Sequence, residues 1–234
     1  MIGVYDYTVI LTYLSLVSAV SGIFVALHGN GHPYIGIFFL MFCGLCDAFD
    51  GKVARTKKNR TELEKGYGVQ IDSLSDLVAF GVLPACIGDS MLCIYPKIPD
   101  IPHLITQREF DSYLSLAVLV TIVLYVLAAM IRLAYFNVTE EERTDAIKHG
   151  KNVYFDGLPV TSACLIFPLV MLLQYTFSYD LTPVYFIVMF ITAILFVSKI
   201  KIKKPGTKGV MILVGIGLIE ALVLLFVSGG LRIH

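Results

Sequence analysis

The stretch CDAFDGKVARTKKNRTELEKGYGVQIDSLSDLVAFGVLPA, residues 46–85, decides the fold of this chain. It leaves one apolar run, crosses a loop rich in Lys and Arg, and enters a second apolar run, with acids at both crossings. Asp47 and Asp50 are three residues apart, and Asp72 and Asp76 are four apart, so each pair shares one face of a helix. The short loop makes the two helices antiparallel neighbours with all four acids at one depth. One Asp in hydrocarbon costs on the order of 2.5–3.5 kcal/mol, and four close together cannot all ionise without a counter-charge. Divalent cations with oxygen ligands answer both problems. Gly66 and Gly68 read as bends in the loop, and Gly51 as a place where a ligand approaches the helix closely. The competing reading pairs these acids with the loop's Lys and Arg in a solvated interfacial network. It suits any one acid better than four in helical register.

The rest of the chain places this pair of helices in a bilayer. Of 234 residues 57% are hydrophobic and 15% charged, and mean hydropathy is +0.79. Soluble domains are about 45–50% apolar and about 25% charged, and one soluble core of this size could not hide the excess. Apolar runs near the roughly 20 residues that cross a membrane fall at about 8–27, 34–50, 71–95, 113–136, 158–178, 182–199 and 209–229. The expected fold is an all-α integral membrane bundle of about seven spans, one domain over residues 1–234. No Lys or Arg precedes the first run and no convincing small-residue cleavage site follows it, so it reads as a span. Zero net charge gives no support to a nucleic-acid partner. Cys43, Cys46, Cys86, Cys93 and Cys164 all lie in apolar stretches, an odd set that does not form a disulfide framework. Cys43-x2-Cys46 lacks the second pair and the nearby His of a zinc site.

Basic residues set the orientation. Fourteen of the 18 Lys and Arg fall in three loops: Lys52 to Lys65, Arg143 to Lys151, and Lys199 to Lys208. By the positive-inside rule those loops are cytoplasmic, with the N-terminus inside and the C-terminus outside. The acid cluster then faces the cytoplasm from a multi-pass protein of the cell membrane.

Asp47-x2-Asp50-Gly51-x2-Ala54-Arg55 followed by Gly68-x3-Asp72-x3-Asp76 resembles the signature of the CDP-alcohol phosphotransferases. These integral membrane enzymes exchange the CMP of a CDP-activated alcohol for a second alcohol. Asp72 to Ala85, Arg132-Leu133-Ala134-Tyr135-Phe136-Asn137, Phe155-Asp156-Gly157-Leu158-Pro159 and Val197 to Lys201 resemble the phosphatidylserine synthase branch. The likeness covers roughly residues 10–205. Two departures stand out. The gap from Arg55 to Gly68 holds twelve residues, longer than the family's usual spacing. At the N-terminus, where the branch reads Thr-x2-Asn-x3-Gly, this chain has Ser15, Ser18 and Gly22.

The resemblance implies a six-helix core with one added C-terminal span, and two divalent ions, Mg2+ or Mn2+. By position, Asp47 and Asp72 would bridge both ions, Asp50 would serve the first and Asp76 the second. Asp76 would also take the proton from the incoming hydroxyl. Gly51 and Arg55, with Ser15 and Thr61, would hold the CDP-lipid. Thr61 matches the family's nucleotide-contacting hydroxyl when counted from Arg55, and fails when counted back from Gly68. The expected partners are a CDP-diacylglycerol-type lipid, L-serine, membrane lipids and a second copy of the chain in a homodimer.

Serine is a zwitterion whose carboxylate needs a partner. Arg132 is the basic residue within an apolar span, close to Asn137, and both are candidates for the acceptor site. Snorkelling of Arg132 to headgroups is the alternative, and Arg143, Lys148 and Lys151 are further candidates. Glu220, alone in the last span, reads as a packing or dimer contact, and Glu140 to Glu142 as a solvated turn. His28, His32, His103, His149 and His234 are scattered and take no role. Two other functions remain open from the residues alone: the same chemistry with glycerol 3-phosphate, inositol phosphate or an amino-alcohol as acceptor, and an ion or metal transporter. Transport sites lie near the midplane on interrupted helices, whereas these acids flank a loop.

Overall fold

The computed structural model describes residues 3–28, 32–94, 113–148, 154–177, 181–203 and 207–230. Eight α-helices account for nearly all of them: α1 (Ile10–Leu27), α2 (Pro33–Ala54), α3 (Glu62–Asp76), α4 (Leu83–Ile94), α5 (Tyr113–Lys148), α6 (Ala163–Phe177), α7 (Thr182–Val197) and α8 (Thr207–Gly230). Two short strands, β1 (Tyr154–Asp156) and β2 (Lys201–Lys203), pair antiparallel with Phe155 opposite Ile202. Among the described residues five rods are long and apolar enough to cross a membrane, while α6 and α7 are shorter apolar helices. The chain is a multi-pass membrane protein, and its outward faces are apolar, as at Val17, Phe24, Val123, Ile187, Ile212 and Phe226.

α3 and α4 form one rod through a π-helical turn at Leu77–Val82, where Leu83 N–H reaches back to Val78 O. Pro84 follows and has no N–H for the carbonyl of Phe80. In hydrocarbon an orphan carbonyl is costly, and here Tyr125 Oη of α5 donates to Phe80 O at 2.6 Å. Tyr185 Oη of α7 likewise donates to Pro84 O at 2.8 Å. These two phenols seat the aromatic centre of the bundle: Phe167 meets Tyr125 edge-on at 5.6 Å and Tyr185 at 4.9 Å.

Small residues let the helices of the site end approach closely, as membrane interfaces require. A Cβ on Gly22 would lie 2.7 Å from Phe39 Cβ, and one on Gly44 only 2.3 Å from Cys164 Sγ. Ser18 Oγ donates to Phe39 O at 3.0 Å, and Cys43 Sγ to Ser15 O at 3.2 Å, so α1 is bound along α2. α8 packs on α6 and α2 and is mostly exposed, with Leu224 its buried anchor. Glu220 of α8 is half-buried, and its Oε2 is buried without a hydrogen-bond partner among the described residues.

Three sequence expectations change. Gly66 and Gly68 do not bend a loop: both are helical residues of α3, and the left-handed glycines among the described residues are Gly3 and Gly157. α3 starts ten residues before Asp72, because Thr61 and Glu64 form a capping box that begins the helix at Glu62. α5 continues through Glu140 to Glu142 as helix to Lys148, where a solvated turn was expected. Cys43, Cys46, Cys86 and Cys164 are free thiols, and the side chain of Cys93 lies outside the described residues.

Candidate active site

The last turns of α2 and the middle of α3 run antiparallel and bring three acids together. Carboxylate oxygens of Asp47, Asp50 and Asp72 lie within 4.8 Å of one another, each residue partly buried. Asp76 sits one turn deeper on α3, 7% exposed, outside that group of three. On the antiparallel α2, Asp47 likewise stands one turn deeper than Asp50, and Asp76 interacts electrostatically with Asp47, Asp72 and Asp50.

The loop's cations do not neutralise the trio. Among the described residues the ion pairs are Lys57–Asp6 at 2.7 Å, Lys57–Glu64 at 2.7 Å and Lys65–Glu62 at 2.7 Å. The interfacial-network reading fails on this point. Three converging carboxylates with no lysine or arginine paired to them form an oxygen donor set suited to a hard divalent cation.

Arg55 caps the C-terminus of α2, and its guanidinium lies over Gly51, 3.5 Å from where a Cβ there would stand. Thr61 is occupied differently from the expectation of a nucleotide contact. Its Oγ1 accepts from Glu64 N at 3.2 Å while Glu64 Oε2 accepts from Thr61 N at 2.8 Å. Eleven residues of helix at 1.5 Å each put Thr61 about 16 Å along the axis from Asp72. Residues 62–67 of the gap between Arg55 and Gly68 are thus helix, at the start of α3. Ser15 of α1 is 3% exposed, and its Oγ has no hydrogen-bond partner among the described residues.

From α5, Asn137 Nδ2 donates to Ser73 Oγ at 2.8 Å, beside Asp72. Arg132 is 4% exposed, which removes the snorkelling alternative. Its Nε donates to Leu158 O at 3.2 Å and its guanidinium stands 5.7 Å from the centre of the Phe136 ring. That carbonyl belongs to the turn after β1. Gly157, at φ +82°, makes the turn, and a Cβ there would meet Phe196 O at 2.7 Å. The side chains of Arg143, Lys148 and Lys151 lie outside the described residues.

A strap of N-terminal residues crosses the α2–α3 loop, and no sequence pattern announces it. Asp6 caps the turn Tyr7–Val9, Tyr13 Oη bonds Tyr67 Oη at 2.9 Å and donates to Val4 O at 2.9 Å, and Thr56 Oγ1 donates to Tyr7 Oη at 3.3 Å. The Lys57 ammonium and the Thr8 hydroxyl hold the Asp6 carboxyl down at about 2, and the Asp6 and Glu64 carboxylates push the Lys57 ammonium up. The N-terminus and the loop lie on one end of the bundle, the parity expected from the basic residues.

Residues 8–200 match the model of the CDP-alcohol phosphatidyltransferase family. The chain is 34% identical over 157 residues to the CDP-diacylglycerol–serine O-phosphatidyltransferase of Saccharomyces cerevisiae, covering 66% of this chain and 48% of that one. It is 32% identical over 153 residues to the archaetidylserine synthase of Methanothermobacter thermautotrophicus, 65% of this chain and 53% of the relative. With the CDP-diacylglycerol–serine O-phosphatidyltransferase of Methanocaldococcus jannaschii it shares 25% over 224 residues, 95% and 88% of the two chains. The chain spans about half the length of the first two of these relatives.

Proposed function

The chain belongs to the CDP-alcohol phosphatidyltransferase family, and on that premise we propose that it transfers the lipid phosphate of a CDP-activated lipid to L-serine. The serine hydroxyl forms a bond to the lipid-linked phosphorus, the bond from that phosphorus to the bridging oxygen breaks, and CMP leaves. The product is phosphatidylserine, or its ether-lipid equivalent. The observation that carries this reading is the carboxylate trio Asp47, Asp50 and Asp72, unpaired with cationic side chains among the described residues, with the Arg55 guanidinium over Gly51 in the same helix end. The choice of serine is supported by the relatives' named activities and by the Arg132–Asn137 and Phe155–Pro159 blocks.

Asp47, Asp50 and Asp72, with Asp76, would hold two divalent ions, Mg2+ or Mn2+, which when bound neutralise charge on the diphosphate. Arg55 offers a planar fork of donors to phosphate, and Gly51 leaves the floor beneath it clear. Asp76 takes the hydroxyl proton, its value lying in placement more than in basicity. Ser15 brings a spare hydroxyl from α1 to the same end of the bundle. Arg132 and Asn137 serve the acceptor from α5. The site faces the cytoplasm of a cell membrane, in keeping with the basic loops at its end, and the working unit is a homodimer.

A transporter reading loses ground because α2 runs unbroken through Asp47 and Asp50 at its cytoplasmic end. Release of CMP from CDP-diacylglycerol, measured with serine, glycerol 3-phosphate, inositol phosphate and an amino-alcohol in turn, tests the proposal. Serine alone should support turnover. Release with another acceptor and not with serine overturns the acceptor assignment.

A further inference from the structure

Arg60 precedes the Thr61 cap and does not extend into solvent. Its side chain lies back along α3, with Nη2 donating to Glu64 O at 3.0 Å. The same Nη2 stands 2.7 Å from where a Cβ on Gly68 would be, so a larger residue there would displace the guanidinium from this seat. Within α3, residues 64, 68, 72 and 76 follow one another at i, i+4, and the Arg60 side chain, from before the cap, reaches this row at Glu64 and Gly68. The guanidinium therefore fills the notch left by Gly68, and Asp72 and Asp76 continue the row beyond it. One helical turn, about 6 Å of rise, separates Gly68 from Asp72.

The group has donors to spare. Arg60 Nε is buried and has no hydrogen-bond partner among the described residues. The neighbouring lysines differ, since Lys57 and Lys65 are both engaged in ion pairs. Leaving a buried guanidinium N–H without an acceptor is costly, so this donor is suited to an incoming acceptor. With the diphosphate held at the acid trio and Arg55, the rest of a CDP-lipid's polar end is a ribose and a base. Cytosine presents two adjacent acceptors, N3 and O2, to a two-pronged donor, whereas uracil carries a proton on N3.

We propose that Arg60, seated by Gly68, is a specificity-determining residue that binds the N3/O2 edge of the cytosine in the nucleotide substrate. The inference rests on the reading of the site as one for a CDP-lipid. Arg60 supplies Nε–H and an Nη–H to that edge, and it faces uracil's N3–H with a donor against a donor.

The test measures binding of CMP and UMP to the purified full chain with Mg2+ by calorimetry, apart from any turnover. Wild type should bind CMP the more tightly. Arg60→Ala should weaken CMP about ten- to a hundred-fold, the range of a lost charge-assisted contact, and abolish the preference over UMP. Arg60→Lys keeps the charge without the fork, and should leave the preference lost. Equal loss of CMP and UMP affinity in Arg60→Ala, or restored preference in Arg60→Lys, overturns the proposal in favour of a phosphate contact. Unchanged CMP binding in a folded Arg60→Ala protein overturns it outright. A chain that prefers CMP through Arg60 yet releases none from CDP-diacylglycerol with any alcohol would sink the transferase reading and leave this one standing.

Discussion

Asn137 and Ser73 are 64 residues apart in the chain and joined by one hydrogen bond of 2.8 Å, from Nδ2 of the first to Oγ of the second. Ser73 is the residue after Asp72, so α5 is tied to α3 where the metal-ligand candidates are.

If that bond acts by holding α3, Ser73→Ala and Asn137→Ala should each lower kcat to a similar degree, and the double variant should be little worse than either. The coupling expected is about 0.5–1.5 kcal/mol. Strict additivity in this double-mutant cycle would show that Asn137 works through a different contact.

Divalent cation should be required, because three carboxylates converge with no side-chain cation paired to them among the described residues. Chelation with EDTA should abolish CMP release, and added Mg2+ or Mn2+ should restore it. Asp76→Asn should lose turnover while keeping much of the CDP-lipid binding, since the trio of Asp47, Asp50 and Asp72 remains whole. Asp47→Asn should impair both. Wild-type turnover in Asp76→Asn would remove it as the base.

Arg132→Ala removes the donor to Leu158 O and with it the tie between α5 and the turn after β1. A loss of about 1–3 kcal/mol in stability is expected, read as a lower Tm in detergent. The KM for serine should rise about ten- to a hundred-fold while that for the CDP-lipid moves little, and Arg132→Lys should rescue only in part. A lower Tm with unchanged serine kinetics would confine Arg132 to holding the turn.

Gly157 occupies a left-handed conformation at φ +82° with three backbone carbonyls within 3.2 Å of its absent Cβ. Gly157→Ala should cost at least the roughly 1–2 kcal/mol of the strained backbone, and the clash adds to it. Loss of folded protein on size exclusion, or a sharp fall in Tm, is the expected result. A variant as stable as wild type would contradict the turn geometry.

The N-terminal strap should loosen in acid. Asp6 is held at about 2 against an ordinary 3.8, so its contribution is full above about pH 4 and is lost as the pH falls from 3.8 toward 2. Lys57 is pushed above its ordinary 10.5, so the partner charge persists throughout neutral pH. The hydrogen-exchange protection factors of residues 3–9, corrected for the slower intrinsic exchange in acid, should hold from pH 7 down to about 4 and fall below that. In Asp6→Asn they should be low across the range. Protection in Asp6→Asn equal to wild type would mean that the tyrosine contacts alone hold the strap.

The bilayer fold and the antiparallel acid helices were legible in the residues because both rest on local rules. Hydropathy over about 20 residues marks a span, and i, i+3 or i, i+4 spacing puts carboxylates on one face whatever the rest of the chain does. Asp47, Asp50 and Asp72 met as that spacing demands. Packing decided the rest. Asp76 is the most buried of the four acids because of what packs over its turn of α3, which spacing does not tell. Arg132 lost its access to headgroups because α5 set it against the turn at Leu158, 26 residues on. Glycines that read as bends became helix because Thr61 and Glu64 started α3 early, and only then did Gly68 become the notch for Arg60. Such contacts join segments whose separation carries no period, so spacing along the chain has nothing to say about them, and the folded bundle alone determines which side chain reaches which carbonyl.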